Sequence, residues 1–260
     1  MKDLQKHLKN NISHNIKHFA IIPDGNRRWA KARDLPPYEG HKHAVKTLQN
    51  LLPVFKDYNI PYVTIWAFST ENWKRPEKEL QVLFNLLKQL TTKIDKHLQK
   101  HNIRLKIIGR RDRLSPDVLQ AIEQAEKQTQ NNTAYTLIIP IDYGGQDEIR
   151  RAFVKLLTKI KTKKLTIDSA LNQLLSDAKS RDFIDSLTDT YNIPYPDVIL
   201  RTSGEMRLSG LYSWQNAYAE LFFLKKYFPD LTYSDIENII KEFATKRDRR
   251  FGGNSKTNKK

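Results

Sequence analysis

The sequence predicts an α/β fold: a central, mostly parallel β-sheet flanked by helices on both faces. Three observations predict it. Short apolar runs of strand length alternate with longer amphipathic stretches, the pattern of a sheet whose strands are buried on both sides. No internal repeat or long Pro/Gly/Ser linker divides the 260 residues. One domain over residues 16–253 is therefore expected, between a disordered segment, 1–15, and a basic tail, 254–260. Hydrophobic residues make up 39% of the chain, enough for a sizeable core.

The elements follow in order. His18-Phe19-Ala20-Ile21-Ile22 is a strand, broken by the turn formers Pro23-Asp24-Gly25-Asn26, and a basic helix follows from Arg27 to Arg33. A second helix covers Lys42 to Tyr58, with Ala44, Leu48, Leu51 and Phe55 on one side and Pro53 as a kink. Tyr62 to Phe68 is a buried strand. A polar loop leads to the longest helix, whose first turn holds Pro76, Glu77 and Glu79 and whose stripe runs from Leu80 to Leu98. Further strands are read at Arg104 to Ile108, Tyr135 to Ile141 and Asp197 to Leu200. Further helices are read at Pro116 to Gln128, Gln146 to Ile160, Ser169 to Lys179 and Ser234 to Thr245.

Composition narrows the function. There is no cysteine, which excludes disulfides, thiolate metal sites and cysteine nucleophiles. No stretch approaches the roughly 18 apolar residues of a membrane span, and the first residues lack an apolar signal core, so a cytoplasmic location is expected. The balance of 45 basic against 29 acidic residues favours polyanions: nucleic acid, an anionic membrane surface or phosphorylated ligands.

In parallel sheets ligands gather at the carboxyl ends of strands, which directs attention to three loops. In the first, Gly25 permits close backbone approach, the next helix start offers free N–H groups, and Arg27 and Arg28 offer charge-assisted donors. Asp24 beside a phosphate needs a bridging cation, for which Mg²⁺ is the natural choice. On this loop alone, the same residues also describe a plain Asp-Gly turn capping a helix. The second loop, Ser69 to Arg75, sets Trp73 among cationic and amide groups; it also reads as a helix-entry loop whose tryptophan covers the core. The third, Arg201 to Ser209, carries two arginines, three hydroxyls and a glycine, a composition suited to a second diphosphate or to a solvated surface loop. Arg249-Arg250-Phe251-Gly252-Gly253 is either a further anion grip or part of the tail. Walker, dinucleotide and His-Glu-x-x-His motifs are absent, as is any Asp-Asp pair. His97 and His101 sit four apart on a helix but are flanked by lysines, as on a solvated face.

The string His18 to Ala30 resembles the opening motif of the cis-prenyltransferases, the undecaprenyl diphosphate synthase family. The likeness continues through Gly40-His41-Lys42, Ala67 to Pro76, Tyr143-Gly144-Gly145, Arg201 to Glu205, Trp214 to Leu221 and Arg249 to Gly253. It implies a helix-flanked sheet around a hydrophobic tunnel, use of Mg²⁺, and a homodimer that joins isopentenyl diphosphate to an allylic diphosphate such as farnesyl or geranylgeranyl diphosphate. The product would be a cis-polyprenyl diphosphate of undecaprenyl type, or a shorter one. By the same resemblance, Asp24 is the catalytic and magnesium carboxylate, and Gly25, Asn26, Arg27, Arg28, Trp29 and His41 hold the allylic diphosphate. Ser69, Thr70, Glu71, Trp73 and Arg75 belong to the loop that joins the two substrates, and Asn72 matches the residue assigned to proton removal. Arg201, Arg207, Leu208 and Ser209 hold isopentenyl diphosphate. Glu220 is a second magnesium ligand donated across the dimer, and the Arg250-Phe251-Gly252 end also reaches that site.

Departures stand beside the matches. Pro37 occupies the place of a phosphate-binding arginine of many bacterial members, with Arg33 as candidate replacement. Asp142 and Gln146 flank Tyr143-Gly144-Gly145 where asparagine and arginine are usual. An amide such as Asn72 is a poor base, so it orients a proton path that ends on a diphosphate oxygen or a water. A bulky lipid product implies only peripheral membrane contact. Two rival classes are disfavoured: the motifs of nucleic-acid-binding domains are missing, and a non-catalytic partner subunit would not retain Asp24, Asn72, Arg201, Arg207 and Glu220.

Overall fold

The computed structural model describes residues 15–246; the Arg249 to Gly253 motif, the tail and most of the leading segment lie outside them. The alternation of strand and helix gives a parallel sheet. Its strands are β1 (His18–Ile22), β2 (Tyr62–Ile65), β3 (Phe68–Ser69), β4 (Ile103–Ile108), β5 (Tyr135–Tyr143), β6 (Val198–Arg201) and β7 (Glu220–Phe223). They pair in the order β4-β5-β2-β1-β6-β7, all parallel, and β3 follows β2 to pair with the far end of β5. Seven described helices of α type connect them: α1 (Asn26–Lys31), α2 (Pro37–Asp57), α3 (Glu77–His101), α4 (Pro116–Thr129), α5 (Gly145–Lys161), α6 (Ile167–Leu174) and α7 (Ser180–Asp185). An eighth, α8 (Tyr233–Lys246), follows β7.

All five residues of β1 are buried because strands flank it on both sides. Alternate strand residues then feed two cores. Phe19, Ile21, Val63, Leu137 and Leu200 pack with apolar residues of α2, α3, α4 and α8, and Ala20, Ile22, Ile138 and Ile199 pack with Tyr143, Leu211 and Tyr212.

Several boundaries differ from those read in the sequence, each for a local reason. Helix α2 starts five residues earlier, because Pro37 fits the first helical turn, and it runs on through Pro53 to Asp57. The strand read from Tyr62 to Phe68 divides into β2 and β3, since Trp66 and Ala67 leave the ladder between them. The helix read from Ser169 to Lys179 ends at Leu174, and α7 follows. Strand β7 escapes the sequence reading because, at the sheet edge, its short run mixes a buried Phe222 with an exposed Leu221 and gives no clear apolar pattern.

Candidate active site

The carboxyl ends of β1, β2–β3 and β6 bring the three loops together. After Ile22 the chain turns at Gly25, whose φ of 95° lies in the left-handed region; a Cβ there would come within 2.6 Å of the Tyr227 ring. Thr202, fully buried just after β6, fastens this turn: its hydroxyl lies 2.9 Å from the Asp24 amide and donates to the Asp24 carbonyl at 2.8 Å. The adjacent pairing of Ile22 with Arg201 therefore fixes Asp24 beside Arg201.

The Asp24 carboxylate accepts from Arg201 Nη2 at 2.9 Å and from the Gly25 amide at 2.6 Å, with Arg28 at 3.4 Å. Half-burial pushes its pKa up, but the Arg201 hydrogen bond, the Gly25 amide and the two guanidinium charges together hold it below the usual carboxylate range. Arg201 is itself buried and also donates to Ser209 Oγ at 2.8 Å and to the Arg207 carbonyl.

His41 enters from α2. Gly40 lets that helix press on α1: a Cβ at Gly40 would lie 1.9 Å from the Asn26 carbonyl oxygen. Burial, then the positive fields of Arg75 and Arg27, depress the His41 pKa to about 4, so the ring is neutral at pH 7. Its Nε2 atom, the Asn26 side-chain oxygen, Arg201 Nε and Ser203 Oγ are buried with no hydrogen-bond partner. Such atoms are costly to leave alone, and three of these residues, Asn26, His41 and Arg201, line one cavity, which marks a place shaped for a polar ligand.

The second loop is a 3₁₀ turn, Thr70–Lys74, entered through a capping box: Asn72 Oδ1 accepts from the Ser69 amide at 3.0 Å, and the Ser69 side chain accepts from the Asn72 amide. A cavity of about 440 Å³ lies beneath it. Its mouth carries Asp24, His41, Asn72, Arg75 and Arg201, with Asn26, Ser69, Glu71 and Ser209 around them. Its depth is apolar, formed by Ala44, Val45 and Leu48 of α2, Leu83 and Leu87 of α3, and Phe228. A second hollow of about 680 Å³ adjoins the mouth, sharing Asp24, Asn26, His41 and Arg75 and adding Gly25, Arg27, Arg28 and Lys31. A charged, donor-rich mouth over an apolar bore suits a ligand with an anionic head and a hydrocarbon tail.

Other expected residues fall elsewhere. Trp29 is buried beneath the first loop, donating to Asp230 at 2.6 Å, with the Arg33 guanidinium stacked over its ring at 4.3 Å. Arg33 thus faces Trp29 and Asp230 rather than the hollow, and Lys31 is the lysine on the wall shared with Pro37. Thr70 donates to Glu71, and Trp73 packs on Phe68 and Phe84 and donates to Asp142. Arg207 is exposed and paired with Glu205, and Leu208 packs against the second core. Glu220 opens β7 opposite Val198, three residues before the Arg201–Phe223 row, about 10 Å toward the other end of the sheet. Within one chain it does not meet Asp24. Sequence reasoning missed Lys31 and the clamp role of Thr202; the only signal for Thr202 was a hydroxyl directly after a strand.

Comparison with known proteins agrees with this geometry. A family model described as putative undecaprenyl diphosphate synthase matches residues 22–252. An isoprenyl transferase of Agrobacterium fabrum is 42% identical over 236 residues, covering 91% of this chain and 92% of that protein. One of Rhodopirellula baltica is 39% identical, with 91% and 93% covered. Among solved structures, a probable undecaprenyl diphosphate synthase from Campylobacter jejuni superposes with a TM-score of 0.73 at 33% identity, covering 93% of this chain and all of that one. Lavandulyl diphosphate synthase from Lavandula x intermedia, in complex with dimethylallyl diphosphate, gives 0.83 at 29% identity, covering 92% and 98%. With a charged mouth over an apolar bore and near-full-length likeness to these proteins, the chain belongs to the undecaprenyl diphosphate synthase family of cis-prenyltransferases.

Proposed function

We propose that this protein condenses isopentenyl diphosphate with an allylic diphosphate, farnesyl or geranylgeranyl diphosphate, to a cis-polyprenyl diphosphate that serves as a lipid-carrier precursor of undecaprenyl type. The observation that carries this reading is the continuity of the anionic-ligand mouth with the apolar bore. The allylic head sits against Arg27, Arg28 and neutral His41, with its tail in the bore between α2 and α3. Isopentenyl diphosphate sits at Arg201, Arg207 and Ser209. Asp24 would hold Mg²⁺, since an ionised carboxylate beside substrate phosphates is the hard oxygen donor set this ion accepts. When bound there, the ion would neutralise charge developing on the leaving diphosphate.

The chain's own groups do the rest. Arg28 and Arg201 spread that developing charge over oriented donors, and the shared wall holds both substrates in register. Asn72 Oδ1 is occupied by the Ser69 amide, which leaves its NH₂ group as a donor on the cavity wall. It orients, and a diphosphate oxygen takes the proton. The working unit is a homodimer in which Glu220 of one copy completes the metal site of the other. The enzyme acts in the cytoplasm, touching membrane only peripherally to release product; no described helix is long and apolar enough to cross one. A short- or medium-chain product is the second reading.

The test is incubation of the purified chain with labelled isopentenyl diphosphate, Mg²⁺ and allylic primers of several lengths, followed by chromatography. Long cis-polyprenyl products support the first reading and a ladder ending after a few additions the second. No incorporation with any primer overturns both.

A further inference from the structure

Asp142 lies at the end of β5, outside the cavity, and carries none of the roles assigned above. It is fully buried, and its φ of 50° is unusual for a residue other than glycine. Backbone strain of that kind is held only where surroundings enforce it. Both carboxylate oxygens are in use. Oδ1 accepts from the Trp73 indole at 2.9 Å and from Arg113 Nη2, and Oδ2 accepts from Arg113 Nε at 2.8 Å. The Arg113 guanidinium also lies 5.3 Å from the centre of the Trp73 ring. Three segments distant in sequence thus meet at one carboxylate: the loop between β4 and α4, the end of β5, and the 3₁₀ turn over the cavity.

An ion pair with its carboxylate buried adds little net stability, since apolar side chains of like volume would serve as well. What it does provide is a single permitted geometry. The rest of Trp73 sits on Phe68 and Phe84 through ring contacts, which tolerate sliding; the indole N–H bond to Asp142 does not. One residue before Trp73 stands Asn72, and two after it Arg75, both on the cavity wall.

We propose that Arg113, Asp142 and Trp73 form a latch that fixes the pose of the Thr70–Lys74 turn, making Arg113 and Asp142 positioning residues for condensation. The inference rests on the prenyl-transfer reading for its catalytic consequence, but the latch itself is testable without turnover. An asparagine at this place keeps one oxygen for the indole and Arg113 Nη2 but turns an NH₂ group toward Arg113 Nε, so Asp142→Asn keeps the indole bond and loses part of the arginine pairing, whereas Asp142→Ala loses both.

The experiment has two readouts on the full chain. Hydrogen exchange of the peptide covering residues 69–75 is expected to quicken about tenfold or more in Asp142→Ala and markedly less in Asp142→Asn, which keeps the indole bond. With farnesyl and isopentenyl diphosphates and Mg²⁺, kcat is expected to fall about 10- to 100-fold in Asp142→Ala, since slight misplacement of wall groups is enough. KM for farnesyl diphosphate should change little, because Arg27, Arg28 and His41 lie off the latch. Trp73→Phe should lose as much as Asp142→Ala, and the double variant no more than either. If Asp142→Ala fails to fold, Arg113→Gln carries the same expectations. Unchanged exchange, or losses that multiply in the double variant, overturns the latch. Quickened exchange in a chain whose wild type makes no product supports the latch and overturns only the prenyl-transfer reading.

Discussion

The two ends of the parallel sheet both bury polar groups, and they treat them in opposite ways. At the amino end the buried polar groups around His18 are paired with one another. Asp197 accepts from the Lys17 and His18 amides at 2.6 and 3.0 Å. The His18 ring donates from Nδ1 to the Pro194 carbonyl at 2.7 Å, so Nε2 accepts from Thr64, whose hydroxyl in turn accepts from Tyr212. At the carboxyl end Asn26, His41, Arg201 and Ser203 each keep a buried atom without a partner. An unpartnered buried group costs about 1–3 kcal/mol; Gln215 Oε1, beside Glu148 and Thr190, is a lone further case, whereas Asn26, His41 and Arg201 stand together on one cavity wall. The amino end is a joint, the carboxyl end a socket.

The sharpest way to break this contrast is to strike the socket. Asp24→Ala is expected to lower turnover by about 10²–10³-fold or more while thermal unfolding shifts by only a few degrees; turnover near wild type would dissolve the distinction. Acid probes both ends at once. His18, buried and neutral, has its pKa depressed to about 4 by burial, which outweighs the Pro194 carbonyl and Asp197. Its unfolded value is near 6.5, so the unfolded chain binds the extra proton and stability falls as pH drops from 6.5 toward 4. The loss is on the order of 3 kcal/mol, read by urea unfolding. His41 titrates in the same window, but a bound diphosphate should raise its pKa and erase its share, leaving that of His18 untouched. A slope unaltered by diphosphate would show that His41 does not face the ligand. The smallest effect is expected for Arg33→Ala: loss of its stack on Trp29 and its exposed pair with Asp230 costs about 1 kcal/mol or less, with turnover kept. A large rise in KM for the allylic substrate would return Arg33 to the socket.

Much of this was legible in the sequence because it depends on neighbours along the chain. Strand β1 ends where Pro23-Asp24-Gly25-Asn26 begins, and α3 follows its apolar stripe to His101. Loops after β1, β2–β3 and β6 converge because parallel strands send their carboxyl ends one way. What stayed hidden depends on partners far apart. Asp142 meets Arg113, 29 residues away, and Trp73, 69 residues away, and neither spacing leaves a periodic trace. Arg33 looked like a substitute phosphate ligand because composition gives charge and not direction. Strand β7 was invisible because a four-residue edge has too few side chains to alternate.

Asp24 stands two residues past the rung that pairs Ile22 with Arg201, and Thr202, next to Arg201, bolts that turn to the sheet. The separation of Asp24 and Arg201 is accordingly a constant of the sheet, as indifferent to drift in side chains as the strand spacing itself. On the proposed reading, the bore can be recut at Ala44, Val45, Leu48, Leu83 and Leu87 of α2 and α3 without moving either charge.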